Sequence, residues 1–324
     1  MSKIIRKLLL SVLSLTLSAI MLGTVTYAWI TMTNKNFLDG LVVNISAGDK
    51  LEVSLDGITY YSTLPSDLFT DALAEIQMED ITSFDGETFR ASRSGAAGAA
   101  IPNIDYASLT LWFRTDGAER NVYLVENVSD LVQYDIGMDG TYVVSMGMNW
   151  RSDETFVNGP NEIDDIVHVG DHNTYYASDA VRISFLEEQI PENLLDTRNA
   201  DDLVQIIVDP SGDPLRGYGV PYGALSYANK KVVHPIQTPI EKPNVVNELT
   251  EFFPHNPYVA MNENSKIMEL IEDGEHTDLT KTYYVGKVTL NIWLEGWDAD
   301  CFDAILRDEI KVQLKFRAGK ANTN

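Results

Sequence analysis

The sequence predicts a mainly β fold, an antiparallel and jelly-roll-like β-sandwich with a few short helices, preceded by an N-terminal hydrophobic export helix. Three observations carry that expectation. Apolar and polar residues alternate over several short runs, Asp-Gly pairs punctuate those runs, and no regular strand–helix succession links them.

Four runs alternate most plainly. Leu109, Leu111 and Phe113 share one face of Leu109–Arg114, and Val181, Ile183 and Phe185 share one face of Val181–Phe185. Val288, Leu290, Ile292 and Leu294 line one side of Val288–Glu295, as Ile310, Val312, Leu314 and Phe316 do in Ile310–Phe316. A period of two means one buried and one wet face, the habit of antiparallel sheets. Further strands are expected at Leu41–Ser46, Leu51–Leu55, Asn121–Val125, Thr141–Met146 and Leu203–Val208. Turns are expected at Asp39-Gly40, Asp56-Gly57, Asp85-Gly86, Asp116-Gly117 and Asp139-Gly140.

Helices are fewer. Ser66–Gln77 gathers Leu68, Phe69, Ala72, Leu73 and Ile76 on one face, and shorter helices are expected at Ala299–Leu306 and Ser265–Glu272. Gly95–Ala100, Arg151–Asn173 and Pro210–Pro257 read as irregular, the last holding eight of the twelve prolines. It reads as an insertion or crossover within a single sandwich domain spanning residues 29–324, because Val288–Phe316 needs partner strands from earlier in the chain. No internal repeat is visible.

Lys3, Arg6 and Lys7 precede an uncharged run from Leu8 to Ala28, the layout of a signal peptide. Small residues at Thr26 and Ala28 suit a peptidase cutting between Ala28 and Trp29. Leu8–Ile30 is 23 residues, long enough to span a bilayer, so an uncleaved membrane anchor is the alternative. In the first case the chain meets the membrane only through this segment before cleavage, and its place is secreted or at the cell surface.

The chain carries 24 Lys and Arg against 48 Asp and Glu, a net charge of −24. Without residues 1–28 the balance is −27, 21 basic against 48 acidic. Such a surface repels phosphate backbones and excludes nucleic-acid binding as a main activity. With 15 Tyr and 11 Phe, the composition favours a packed core over disorder. One cysteine, Cys301, leaves no intramolecular disulfide and reads as a small buried hydrophobe.

Several pieces, taken in order, resemble a known group. Thr26-Tyr27-Ala28-Trp29-Ile30 looks like the junction at which SipW-type signal peptidases trim the TasA/camelysin-like secreted proteins of Gram-positive bacteria. Tyr106–Arg114 with Asn121–Leu124, Val181–Phe185, and Ile292–Cys301 resemble strands of the wider group; together these cover about a quarter of the chain. The resemblance implies a jelly-roll sandwich outside the membrane. It also implies fibre or biofilm-matrix assembly in which a freed N-terminal strand, here Trp29 to about Leu41, pairs with a neighbour's sheet edge. This chain departs from the short relatives in its length and its proline-rich insertion.

Chemistry finds little purchase. No His-Glu-x-x-His occurs, and His168-Val169-Gly170-Asp171-His172 lacks the general base and sits in loop-forming sequence. No nucleophile elbow, phosphate loop or dinucleotide fingerprint appears, so no catalytic residue is assigned and no cofactor is implied. Calcium is considered at three acidic clusters, Asp298 with Asp300, Glu162 with Asp164 and Asp165, and Asp201 with Asp202, none of them spaced as an EF-hand loop; Asp298 and Asp300 more simply cap a helix start. Trp112 and Trp293 fall opposite the aliphatic faces of their strands, as surface-contact aromatics for a sugar or a protein if those faces are wet. The expected function is a secreted or cell-surface structural protein, a matrix or filament subunit acting through self-association or other surface proteins. The alternative is an adhesin or carbohydrate-binding module that does not polymerise, and a hydrolase is a third reading.

Overall fold

The computed structural model describes residues 14–16, 35–46, 50–73, 76–93, 98–274 and 281–322. Asn36–Asn324 form one compact unit. Of the segment before it, Ser14–Thr16 are helical, and the rest of the expected export helix, including Thr26, Tyr27, Ala28 and Trp29, lies outside the described residues.

Nine strands frame the core: β1 (Asn36–Ile45), β2 (Glu52–Ser54), β3 (Ala107–Thr115), β4 (Asn121–Leu124), β5 (Tyr142–Ser145), β6 (Val181–Glu188), β7 (Gln205–Val208), β8 (Tyr284–Glu295) and β9 (Glu309–Gly319). A seven-stranded sheet centres on β9, which pairs in parallel with β1 and antiparallel with β5 and β4. A nine-stranded sheet centres on β8, antiparallel to β6 on one side and to β3 on the other. The two inner faces pack together as a sandwich. Val43, Val312 and Leu314 meet Ile183, Val288, Leu290 and Ile292 in one buried cluster. The Phe316 ring crosses the interface, edge-on to Phe113 at 5.0 Å and to Phe185 at 5.8 Å.

The alternating runs thus form the strands they predict. The sheets are mixed rather than purely antiparallel: β1 lies parallel to β9 in the seven-stranded sheet, and in the nine-stranded sheet Val245–Val246 runs parallel to β7 and Asp80–Ser83 to β8. A parallel pair needs a long crossover, and for β1 and β9 nearly the whole domain supplies it. Asp39-Gly40 is a bulge inside β1 rather than a turn, since the register against β9 slips between Leu38 and Gly40. Ser265–Glu272 is not helical; Lys266–Glu269 and Ile271–Glu272 are edge strands that bury Ile267, Met268 and Leu270. Ala299–Leu306 keeps one 3₁₀ turn, Asp303–Ile305. Ser66–Gln77 shortens to helix α1, Asp67–Leu73, which packs on β1 through buried Phe69.

The irregular stretches hold more order than their sequence suggests. Met148–Arg151 pairs with His172–Tyr175, and Phe156–Val157 with Ile166–Val167. Trp150 anchors them, its ring 5.5–5.9 Å from those of Tyr175, Tyr227 and Phe302. The proline-rich stretch supplies Tyr227 from helix α2 (Ala224–Lys231) and adds Val245–Val246 parallel to the edge of β7.

A short repeat also emerges. Ser54-Leu55-Asp56-Gly57-Ile58-Thr59 and Ser83-Phe84-Asp85-Gly86-Glu87-Thr88 share one hydrogen-bond pattern. In each, the Asp Oδ1 accepts from the backbone N–H groups two and three residues on, at 2.7–2.9 Å, and the Ser Oγ accepts from the Gly N–H at 2.9–3.0 Å. Both glycines have positive φ, +72° and +75°. Both turns press on the outer face of the nine-stranded sheet, Gly57 on Trp112 and Gly86 on Ser184.

Candidate functional site

The outer face of the nine-stranded sheet divides into a covered end and an open end. At the covered end the side chains of β8 and β6 lie under the segment around Phe89 and Tyr106. Trp293 is therefore fully buried, in a cluster with Ile81, Phe89, Tyr106 and Ile207. Its ring meets Phe89 at 5.1 Å and its Nε1–H donates to Glu295 at 3.0 Å. As a surface-contact residue Trp293 is corrected: the layer over it removes it from solvent.

At the open end one line of residues crosses four strands. Glu188 of β6 faces Lys287 of β8, which faces Trp112 of β3, which faces Ser54 of β2. Direct cross-strand partners project from the same face. Trp112 is half-buried, with Lys287 Nζ 5.7 Å from its ring. Glu188 accepts from Lys287 Nζ and from Thr289 Oγ1, each at 2.5 Å. Alongside, the Arg114 guanidinium lies 4.0 Å from the Tyr60 ring and 5.0 Å from the Tyr283 ring, and pairs with Glu52 at 2.7 Å. Burial pushes the Tyr60 hydroxyl up to about 12, so it is a hydrogen-bonding phenol at any ordinary pH. The result is an aromatic and polar platform with its charges paired.

Asp298 and Asp300 sit between β8 and β9 and are each engaged by an arginine. Asp298 pairs with Arg182, which also reaches Asp209 at 2.8 Å; all three are buried. Asp300 holds Arg216 through two bonds of 2.6 and 2.8 Å, and Arg216 donates on to the Asn158 carbonyl. Burial opposes charge on Arg182, yet the carboxylates of Asp298 and Asp209 hold its pKa above the usual value. Both aspartates thus spend their carboxylate oxygens on guanidinium groups. Among the described residues no group of three His, Cys, Asp or Glu could hold a metal. Asp298 accepts from the Asp300 N–H at 2.9 Å within a turn; the 3₁₀ turn that follows starts at Asp303 with Phe302 as its N-cap and no side-chain cap bond, so neither aspartate caps a helix.

Sequence reasoning missed this network. Arg182 alternates with Val181 and Ile183 and reads as a solvent-facing residue, and only the surrounding cluster of acids hints otherwise. Glu295 and Asp179 belong to the same region. Burial raises the fully enclosed Glu295 carboxyl, opposed by the N–H groups of Trp293 and Trp297. Burial, then the nearby Asp300 charge, lifts Asp179 to about 7. Cys301 is buried and its thiol is pushed well up by that burial, which removes the thiolate a nucleophile needs. His168 and His172 are exposed at the base of a hairpin.

The sheet edges bear on assembly. Asn36–Leu41, the described part of the expected free N-terminal strand, pairs within its own chain. It lies along β9 from Phe37 to Ile45, and among the described residues only the two-residue strands Gln77–Met78 and Thr63–Leu64 pair with its other side. Comparisons place no relative beside this chain: no family model, no curated protein and no solved structure matches it.

Proposed function

We propose that the chain is an extracytoplasmic structural protein that assembles at the cell surface by exchanging its N-terminal strand between copies. The observation that supports this is the pairing of β1. Its long partner is the last strand of the chain, and no hairpin ties it to that partner. A neighbour's β1 would remake every β1–β9 hydrogen bond and refill the same core positions of Leu38, Leu41 and Val43. Exchange then costs little enthalpy, and an export segment removed before Trp29 would leave the strand free to travel.

The test uses two chains beginning at Trp29, each with Cys301 replaced by alanine and a single new cysteine. Val42 and Gln313 are register partners on β1 and β9. Mixing Val42→Cys protein with Gln313→Cys protein under mild oxidation gives a disulfide heterodimer if strands are exchanged. A chain carrying both substitutions that closes only on itself, together with no heterodimer in the mixture, rejects the proposal.

A second reading rests on Trp112. A half-buried indole beside paired Lys287 and Glu188, on a sheet face left open, suits stacking against a sugar ring. Under this reading Trp112→Ala abolishes glycan binding and leaves the oligomeric state alone.

A further inference from the structure

The end of the sandwich where β9 finishes carries a cleft of about 760 Å³, lined by Arg120, His255, Lys320, Phe253, Val259 and Glu269 among others. Its chemistry runs against that of the whole molecule. In a chain with twice as many acids as bases, three basic side chains converge on an apolar floor. Arg120 is the informative one. Its guanidinium lies 3.7 Å from the Tyr284 ring, and among the described residues no carboxylate pairs with it. Stacking on an aromatic ring holds the planar fork in place and leaves its N–H donors outward, an arrangement suited to a carboxylate. Lys320 pairs with Glu119 at the rim, at 3.4 Å, and Glu269 with Lys266 at 3.8 Å. Those two acids are balanced and Arg120 is not.

The opposite end carries the complementary feature. Between Phe156–Val157 and Ile166–Val167 the chain turns through Glu162, Ile163 and Asp164, all exposed, with Ile163 at 82%. Asn161 fixes the turn, its Oδ1 accepting from the Ile163 N–H at 3.1 Å. The hairpin's Asn158 is tied through Arg216 to Asp300, which lies in the connection that leads from β8 into β9. That connection precedes Glu309, whereas Gly319 lines the cleft. The eleven residues of β9, a strand about 35 Å long at ~3.3 Å per residue, run from beyond that connection to the cleft.

We infer that the cleft receives the Glu162-Ile163-Asp164 turn of a second copy, the carboxylates on Arg120 and Lys320 and Ile163 on Phe253 and Val259. Unlike patches at opposite ends make a head-to-tail contact, which propagates rather than closes. The inference rests on the reading that copies self-associate and adds a contact separate from strand exchange.

The experiment follows oligomeric state by light scattering and ultracentrifugation, in chains beginning at Trp29. Arg120→Glu and the pair Glu162→Lys with Asp164→Lys each lower self-association at least tenfold. Mixed together, the two variants regain multimers, since the intact turn of one fits the intact cleft of the other and the reversed turn fits the reversed cleft. A chain carrying all three reversals regains multimers. Multimers unaffected by the reversals, or a mixture that stays monomeric, overturn the contact. A parent chain that is monomeric throughout overturns self-association and the contact with it. Where the reversals leave the multimers unaffected, cysteine heterodimers that still form in the charge-reversed chains show that strand exchange stands and the contact fails.

Discussion

At the scale of single residues, the decisive chemistry is the burial of charge with its partners. Arg182 is enclosed with Asp298 and Asp209, so removing it strands two carboxylates in an apolar wall. Arg182→Met should therefore cost about 3–5 kcal/mol, read as a fall in the urea midpoint. Replacing all three by apolar residues of similar volume should cost far less, because no charge is then left unpaired. Asp179 makes the complementary case. It is faced by Asp300, Asp209, Arg216 and Ser178, and its carboxyl lies at about 7 instead of 3.8, from burial first. The folded chain holds that proton more tightly than the unfolded one, so its contribution is complete below about pH 4 and is lost as pH rises through 7. Asp179→Asn should flatten the melting temperature between pH 5 and pH 8 and stabilise the protein at pH 8 by about 1–2 kcal/mol, discounted for partial exposure. A variant with the parent's pH profile would assign the slope to another group.

At the scale of elements, bulges explain where the sequence was legible and where it was not. Alternation reveals β3, β6, β8 and β9 because their registers are unbroken. The start of β1 hides: with Asp39 bulged, Leu38 and Leu41 both point inward although three residues apart. Lys266–Glu269 hides for the same reason. Its register slips between Lys266 and Met268, so adjacent Ile267 and Met268 are both buried, and the run imitates a helical face. The two Ser-x-Asp-Gly-x-Thr turns were legible only as Asp-Gly signals; their kinship lies in hydrogen bonds. They make a matched pair for testing. A Cβ at Gly86 would stand 2.6 Å from the Ser184 Cβ, one at Gly57 3.1 Å from the Trp112 ring. Both alanine variants bear the ~1 kcal/mol of a left-handed residue. Gly86→Ala should lose at least about 1 kcal/mol more than Gly57→Ala by chemical denaturation, since Ser184 sits in a buried strand and cannot yield.

At the scale of the molecule, what covers what is settled by chain segments far apart in sequence. Trp112 and Trp293 occupy equivalent outward positions in the nine-stranded sheet, and only the segment carrying Phe89 and Tyr106 makes one core and leaves the other half-open. No local pattern could have separated them. The joining of chain ends is of the same kind, and it exposes the assembly proposal to a direct measurement. β1 places Leu38, Leu41 and Val43 in the core, each at most 5% exposed. At about 1.5–3 kcal/mol for each buried aliphatic side chain, the strand is worth about 5–9 kcal/mol, comparable with the whole stability of an ordinary domain. A chain beginning at Lys35 should therefore fold, while one beginning at Ser46 should not. A synthetic peptide of residues 36–45, supplied in trans, should restore cooperative unfolding to the shorter chain, with a midpoint that rises with peptide concentration. If the chain beginning at Ser46 melts like its longer counterpart, β1 is dispensable to the sandwich, and a neighbour's copy would have nothing to replace.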